Sequence, residues 1–497
     1  MQHYLEVLRH YVKCRKGSVV VLCTVVFVSF VFFSGIVYEA SVRNAAVTTA
    51  ETALQNAGRV VLSCYDQDLQ KRYELFAYEL NASDTEKLIE KLMKETLDEM
   101  SLCDISIKEV KVETGQYSTA DASNIKAQIT EMMESRVIMD TILKSVEYMN
   151  NVSDSVRDKN DTEARIEALE KEREEYEQML QENSSQDGSD DASASEMADI
   201  KQVHSMLKRI ITQSEPNTDF DGVPRSLINE SIKDGLPSVQ NGIASGTSFS
   251  ILDKFTASGE NNGKTDLKED ILINEYISSH FDNYQKSEGI PDTDSFFAGE
   301  MEYILLGGES DEDNYSKTLK IIFGMRTALN AAHIYTDAEK LTATLQAAET
   351  LTPGPFVPLT QLLIISAWSS AEASNDVFNL KNGGAVPLMK NEETWMTDLN
   401  GLLAGELTEN IISVSDSGVM DYGGYLKLLL MAQDSAVKIS RMMDLIQINM
   451  KGSVRQEFTA ADHYTGLSVS CSFEVGSRSL SVKDYGFETA MEHVYVR

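Results

Sequence analysis

Hydrophobic and polar positions follow three rhythms along this chain, and each predicts a different kind of element. Val19 to Tyr38 is a run of twenty residues without a charge. As a helix rising about 1.5 Å per residue it spans about 30 Å, the thickness of a bilayer's hydrocarbon core, so the run predicts a transmembrane helix. Thr24, Ser29 and Ser34 can return their hydroxyls to their own helix and do not weaken that reading. Beyond the run, Ala46, Ala50, Ala53, Ala57, Val61 and Cys64 recur every three or four residues, one helical face of small side chains. Small residues let another backbone come close, which predicts a stalk packed against a neighbour. An exposed stretch of good helix formers is the equal alternative.

Two segments follow the period of a strand. In 103–114, Ile105 and Ile107 share one parity and Val110 and Val112 the other, so a bulge is expected near Lys108-Glu109. In the tail, Leu467, Val469, Cys471, Phe473 and Val475 alternate strictly, and Leu480 and Val482 resume after Gly476-Ser477. A two-residue turn there pairs Phe473 with Leu480 and Cys471 with Val482, with a last strand at His493–Arg497. A lone strand at 103–112 leaves backbone groups unpaired, and a hairpin at 467–485 has an uncovered apolar face. Both needs are met if the two ends of the chain meet, with helix 46–64 lying on the resulting sheet.

Elsewhere the period is helical. Helices are expected at 125–151 and 160–181, forming a hairpin whose heptad is too short for an independent coiled coil. The acidic, serine-rich 181–199 reads as a solvated linker, followed by an amphipathic helix carrying Met197, Ile200, Val203, Leu207 and Ile210. Residues 216–295 read as loops with short elements such as Glu269–Phe281, and helices are expected at 297–306, 315–350, 359–378, 395–409 and 423–451. Leu359–Trp368 is apolar but too short to span a membrane, so it predicts a buried helix. The resulting divisions are a tail 1–18, a membrane helix 19–38, a stalk and first strand 39–120, a helical hairpin 121–215, a loop-rich segment 216–295, a helical unit 296–452 and a β tail 453–497. The expected fold class is α+β, predominantly helical.

Charge adds orientation. Arg9, Lys13, Arg15 and Lys16 precede the span against Glu6, whereas Arg43 is the single cation in the twenty residues after it. The positive-inside rule then puts the N-terminus in the cytoplasm and the remainder outside. No A-x-A-like site closes the run, so the chain is expected to stay anchored in the bilayer rather than be released. With 44 Lys and Arg against 78 Asp and Glu, the net charge of −34 repels phosphate backbones and excludes a nucleic-acid partner. Five cysteines in 497 residues exclude a disulfide-built scaffold, and Cys471 is expected as a small core residue.

Candidate chemistry is sparse. There is no HExxH, GxSxG, P-loop, GxGxxG after a strand, or CxxC, and the seven histidines are scattered. Asn217-x-Asp219-x-Asp221-Gly222 resembles half of a calcium loop, but Ile228 stands where a bidentate Glu is needed and Pro224 interrupts it, so an Asx-rich turn is the better reading. The acids of Glu309–Asp313 read as a solvated loop. No catalytic residue, cofactor or metal site is assigned.

Arg15-Lys16-Gly17-Ser18 before the long apolar run, then Tyr65-Asp66-x-Asp68-Leu69 and Tyr73-Glu74-Leu75-Phe76-Ala77, resemble a known pattern. So do Glu302-Tyr303-Ile304-Leu305-Leu306-Gly307, Ala385-Val386-Pro387-Leu388-Met389-Lys390, Gly424-Tyr425-Leu426 and Arg441-Met442-Met443-Asp444-Leu445-Ile446. The chain resembles an uncharacterised family of single-span proteins of Gram-positive bacteria, similar at the N-terminus to the TadE/TadG-like proteins of Tad (Flp) pilus loci. Members usually have Gly where Glu74 stands. The resemblance implies a non-enzymatic component of a pilus-like or secretion apparatus, with the bilayer and other apparatus proteins as partners. An anchored binding or sensing module is the alternative, and a cell-wall hydrolase ranks below both.

Overall fold

The computed structural model describes residues 2–98, 104–184, 191–220, 227–243, 252, 254–255, 264–287, 292, 294–406, 410, 419–476 and 485–496. The fold is α+β and predominantly helical. Helix α1 runs unbroken over Gln2–Ser63. Its part from Val19 onward is long and apolar enough to cross a membrane.

Where the apolar run ends, the helix changes role. Every large apolar side chain from Val19 to Tyr38 that is exposed has at least 44% of its surface open, whereas Ala46, Ala50, Ala53, Ala57 and Val61 are buried. The small-residue face is therefore a packing face. Cys64, the last residue of the expected stripe, lies past the helix end and is exposed. The stripe packs beneath a three-stranded antiparallel sheet of β1 (Asp104–Glu113), β4 (Gly466–Gly476) and β5 (Tyr485–Val494), in the order β1-β4-β5. The strand near residue 105 thus pairs with the strand near residue 470, joining the ends of the chain. Ile107 faces Phe473 and Val110 faces Cys471, with the bulge between Ile107 and Glu109.

The second strand of the hairpin differs from the expected one. Phe473 pairs with Phe487 and Cys471 with Thr489, so the register expected for a two-residue turn is not adopted and the strand that pairs with β4 is 485–494. Leu480 and Val482 lie outside the described residues. Phe487 stacks on Phe473 at 5.1 Å, a cross-strand aromatic contact that the strict alternation around Leu480 masked. Helix α3 (Ala82–Asp98) completes this layer, burying Thr85, Ile89, Met93 and Leu97 at four-residue intervals. Burying Ile89, Met93 or Phe473 stabilises the layer by roughly 1.5–3 kcal/mol each.

The remaining chain is helical. After α2 (Gln67–Tyr73) come α4 (Ala122–Glu134), α5 (Met139–Ser184), α6 (Asp191–Gln213), α7 (Lys264–His280), α8 (Glu300–Leu306), α9 (Asp311–Thr336), α10 (Ala338–Leu351), α11 (Val357–Lys381), α12 (Tyr422–Met431) and α13 (Ser435–Ser453). A small ribbon pairs β2 (Val386–Pro387) with β3 (Val419–Met420). Leu359 to Trp368 lies in α11 and is buried among other helices, as its length required.

Several boundaries move, for identifiable reasons. The expected helix 315–350 breaks at Asp337, whose carboxylate accepts the N–H groups of Glu339 and Lys340 and so starts α10. Asp434 likewise splits 423–451 by capping α13, and Asp398 caps a single short turn, Leu399–Leu403, in place of a helix at 395–409. The break expected after 151 is absent; it lies instead between α4 and α5, leaving Ile138 exposed. The expected linker 181–199 is helical up to Ser184 and again from Asp191. The hairpin forms between α5 and α6, clamped by Glu170–Lys208 at 2.6 Å and by Glu177–Lys201.

Candidate functional site

Three polar assemblies stand out. The first joins the two ends of the chain. Asp66 caps α2, accepting from the N–H groups of Asp68 and Leu69, and its other oxygen meets Arg455 and lies 3.3 Å from His463 Nε2. Burial opposes ionisation of Asp66, but His463, the Leu69 N–H and Arg455 outweigh it and lower the carboxyl to about 2. His463 is fully buried, with Nδ1 2.9 Å from the Thr459 carbonyl. Among the described residues no nucleophile completes this pair as a catalytic triad, and its geometry is that of a latch.

The second lies inside the helical unit. Arg326 on α9 donates through Nε to Asp376 on α11 at 2.9 Å, and through its other nitrogens to Asn330 and to the carbonyls of Pro387 and Leu388. Lys390 pairs with Glu372 and with Asp376 at 2.6 Å, and Glu372 also accepts from the N–H groups of Met396 and Thr397. Burial opposes charge on Asp376, but Arg326 and Lys390 hold its carboxyl below the usual range. Two cations and two anions thus neutralise each other without solvent, which requires nearly complete hydrogen bonding. Nearby, desolvation raises Glu300 and Glu302 to about 7 and Asp444 to about 6. Tyr303 donates to Asp444 at 2.8 Å, Asn449 to Glu300 at 2.7 Å and the Tyr284 N–H to Glu302 at 2.9 Å. These carboxyls are at most 3% exposed, so a substrate cannot reach them. They pin helices together.

The third assembly is open. A groove of about 770 Å³ runs between α10 and residues 392–403. Its floor includes Ala343, Ala347 and both tryptophans of the chain, and Glu339, Gln346, Glu392 and Asn400 add polar groups to its lining. Trp368 and Trp395 meet edge to face at 5.3 Å, and both indole N–H groups donate to the Thr397 carbonyl. Volume and mixed lining are those of a ligand groove. The sequence reading missed it, because residues 339–351 and 392–403 come together only through α11.

Residues 221–475, just over half of the chain, match the Family of unknown function (DUF5702). The chain belongs to that family. No curated protein and no solved structure matches it. The DUF5702 region contains the charge cluster, the groove and all of β4 but its last residue, whereas the strands that flank β4 lie outside it. It also contains four of the motifs noted in the sequence: Arg326 reaches Tyr425, Pro387 and Leu388, while Arg441 donates to the Leu305 carbonyl at 2.7 Å. Gly307 adopts φ +69°, and a Cβ there would lie 2.6 Å from Arg441 Nε.

Other residues singled out in the sequence have plain roles. Asn217 Oδ1 accepts the Asp219 N–H at 2.7 Å, an Asx turn, and Lys381 Nζ reaches the carbonyls of both residues. Residues 221–226 lie outside the described residues. Ser310 caps α9, Asp311 is buried against the N–H groups of Ala298 and Gly299, and Glu309 pairs with Lys233, so 309–313 is a helix start and not a solvated loop. Cys471 is buried, which pushes its thiol up to about 12 and leaves it inert. Cys103 lies outside the described residues. Among the described residues no three His, Cys, Asp or Glu side chains converge as a metal site needs.

Proposed function

We propose that this protein is a non-enzymatic, single-span membrane component that holds a rigid extracellular body close to the bilayer. The observation that carries the reading is the continuity of α1. One helix provides the exposed apolar span and, a little over two turns past its end, the buried face beneath the sheet. A force on the folded body is therefore transmitted to the membrane through a helix, without a flexible joint. The charge asymmetry about the span supports an outside location. The similarity of the N-terminal motifs to TadE/TadG-like proteins supports a place in a pilus or secretion apparatus, where rigid coupling of that kind is useful.

Protease added to intact protoplasts tests the topology. Digestion of everything beyond about residue 40 is expected, and protection of 181–199 overturns the orientation. Crosslinking in intact cells tests the assembly role: recovery of apparatus subunits is expected, and exclusive recovery of the uncrosslinked chain overturns it. A second reading, an anchored binding module, is favoured by the tryptophan groove. It predicts that Trp395→Ala abolishes capture of a cell-surface ligand while leaving the fold intact.

A further inference from the structure

Lys438 on α13 is fully buried, and its amine faces α7. Asp270 and Asn274, one turn apart on that helix, meet it there: Nζ lies 3.0 Å from Asp270 Oδ1 and 3.0 Å from Asn274 Oδ1. Ser435, on the same face of α13, donates to Asp270 as well. Asn274 is itself buried, and its Nδ2 reaches back to the Lys427 carbonyl at 3.4 Å, which turns Oδ1 toward the amine. An amine, a primary amide and a carboxylate thus converge, with the amide orientation set from a third helix.

From this juxtaposition we infer that Lys438 and Asn274 form an intramolecular isopeptide bond, with Asp270 as the proton carrier. In the ion pair, the Lys438 ammonium passes a proton to the Asp270 carboxylate and becomes a neutral amine. Nζ attacks the Asn274 amide carbon, forming the C–N bond while the carbonyl electrons move to Oδ1 and take a proton from Asp270. A proton from the attached nitrogen moves to Nδ2, the old C–N bond breaks, and ammonia leaves. Asp270 recovers the Oδ1 proton as the carbonyl re-forms. The products are a secondary amide, ammonia and protonated Asp270, with charge and atoms balanced and no oxidant required.

Two physical conditions favour the step. Burial outweighs the nearby carboxylate and pulls the Lys438 amine below the usual lysine range, which eases its deprotonation. The reactants are held in hydrogen-bond contact by two packed helices, so little orientational freedom remains to be lost. The other buried lysine provides the contrast. Lys390 meets Glu372, Asp376 and the backbone carbonyl of Thr394, and Arg326 keeps Asp376 ionised, so this lysine pairs with carboxylate anions and a main-chain carbonyl where Lys438 meets a side-chain amide.

The bond ties α7 to α13 across a sequence separation of 164 and restricts the unfolded state as a long-loop disulfide does. Intact mass spectrometry of the full-length protein purified in detergent tests it. The expected mass is lower than the sequence mass by one ammonia, and tryptic digestion yields a branched peptide joining the segments of Asn274 and Lys438. Asn274→Ala and Lys438→Arg are expected to show their full sequence masses. Asp270→Ala, which keeps both reactants, is expected to leave most of the chain uncrosslinked. Full mass with only linear peptides in the wild-type chain overturns the inference. So does loss of ammonia without the branched peptide, the signature of a succinimide. Complete crosslinking in Asp270→Ala overturns the role of the acid.

Discussion

The sheet layer and the helical unit solve the problem of burial in opposite ways. In the layer, the buried residues contributed by α1, α3, β1 and β4 are nearly all apolar, and the close contact comes from alanines and from Gly58, where a Cβ would collide with Met491 and His493. In the helical unit, Arg326, Glu372, Asp376, Lys438 and Asp444 are all fully buried alongside the aliphatic core. A core of the first kind is held by shape and apolar area, and it tolerates loss of a single contact. A core of the second kind is held by mutual neutralisation, so removing one member leaves its partners charged and dry. The two regions should therefore fail differently.

The largest expected effect is in the charge cluster. Asp376→Ala strands Arg326 and Lys390, and should cost about 3–5 kcal/mol. Chemical denaturation followed by hydrogen exchange should show the loss in α9 and α11 with β4 protected longer. Equal loss in both regions would mean that they unfold as one unit.

pH should separate the regions next. Burial raises Glu300 and Glu302 to about 7 in the folded protein from an ordinary value of 4.5, so the native state binds more protons between those values. The helical unit therefore loses stability as pH rises from about 4.5 to 7, on the order of 3 kcal/mol for each carboxyl. Asp66 has the opposite sign: held near 2, it supports the junction above its usual value and loses that support as pH falls from 3.8 through 2. Glu302→Gln should flatten the neutral-range slope and leave the acid limb intact. An unchanged slope would place the carboxyl in solvent.

Gly307→Ala should cost about 1–3 kcal/mol, because alanine is strained at φ +69° and its Cβ meets the Arg441 guanidinium. Ala50→Leu should cost a similar or smaller amount, about 1–3 kcal/mol from overpacking, and confine its effect to the sheet layer. Melting of the variant at the wild-type temperature would mean that α1 can shift away from the sheet.

The smallest effect tests the junction. Glu74 holds φ 54°, the only non-glycine with positive φ among the described residues, at the end of α2. Glu74→Gly relieves about 1 kcal/mol of strain and forfeits the exposed ion pair with Arg136 at 2.5 Å, itself worth about 0–1 kcal/mol. A small gain in stability is expected, and a clear loss would show that the ion pair outweighs the strain.

Local pattern by itself determined the elements whose burial is one-sided. The uncharged run at 19–38, the small face of α1, the alternation in β4 and the bulge in β1 each follow from period and side-chain size. Even the union of the chain's ends follows, since an orphan strand and an uncovered apolar face have few other remedies. Helix ends were less legible, although Asp337, Asp398 and Asp434 carried the capping signal in plain view. Only the tertiary structure decided the pairing of β5, the groove around Trp395, and the partners of Arg326, Lys390 and Lys438. The reason is physical. Apolar periodicity reports which side of an element meets the core, whichever neighbour supplies it. A buried charge is stable only beside particular partners, and those lie tens to hundreds of residues away in sequence, as Lys438 and Asn274 do.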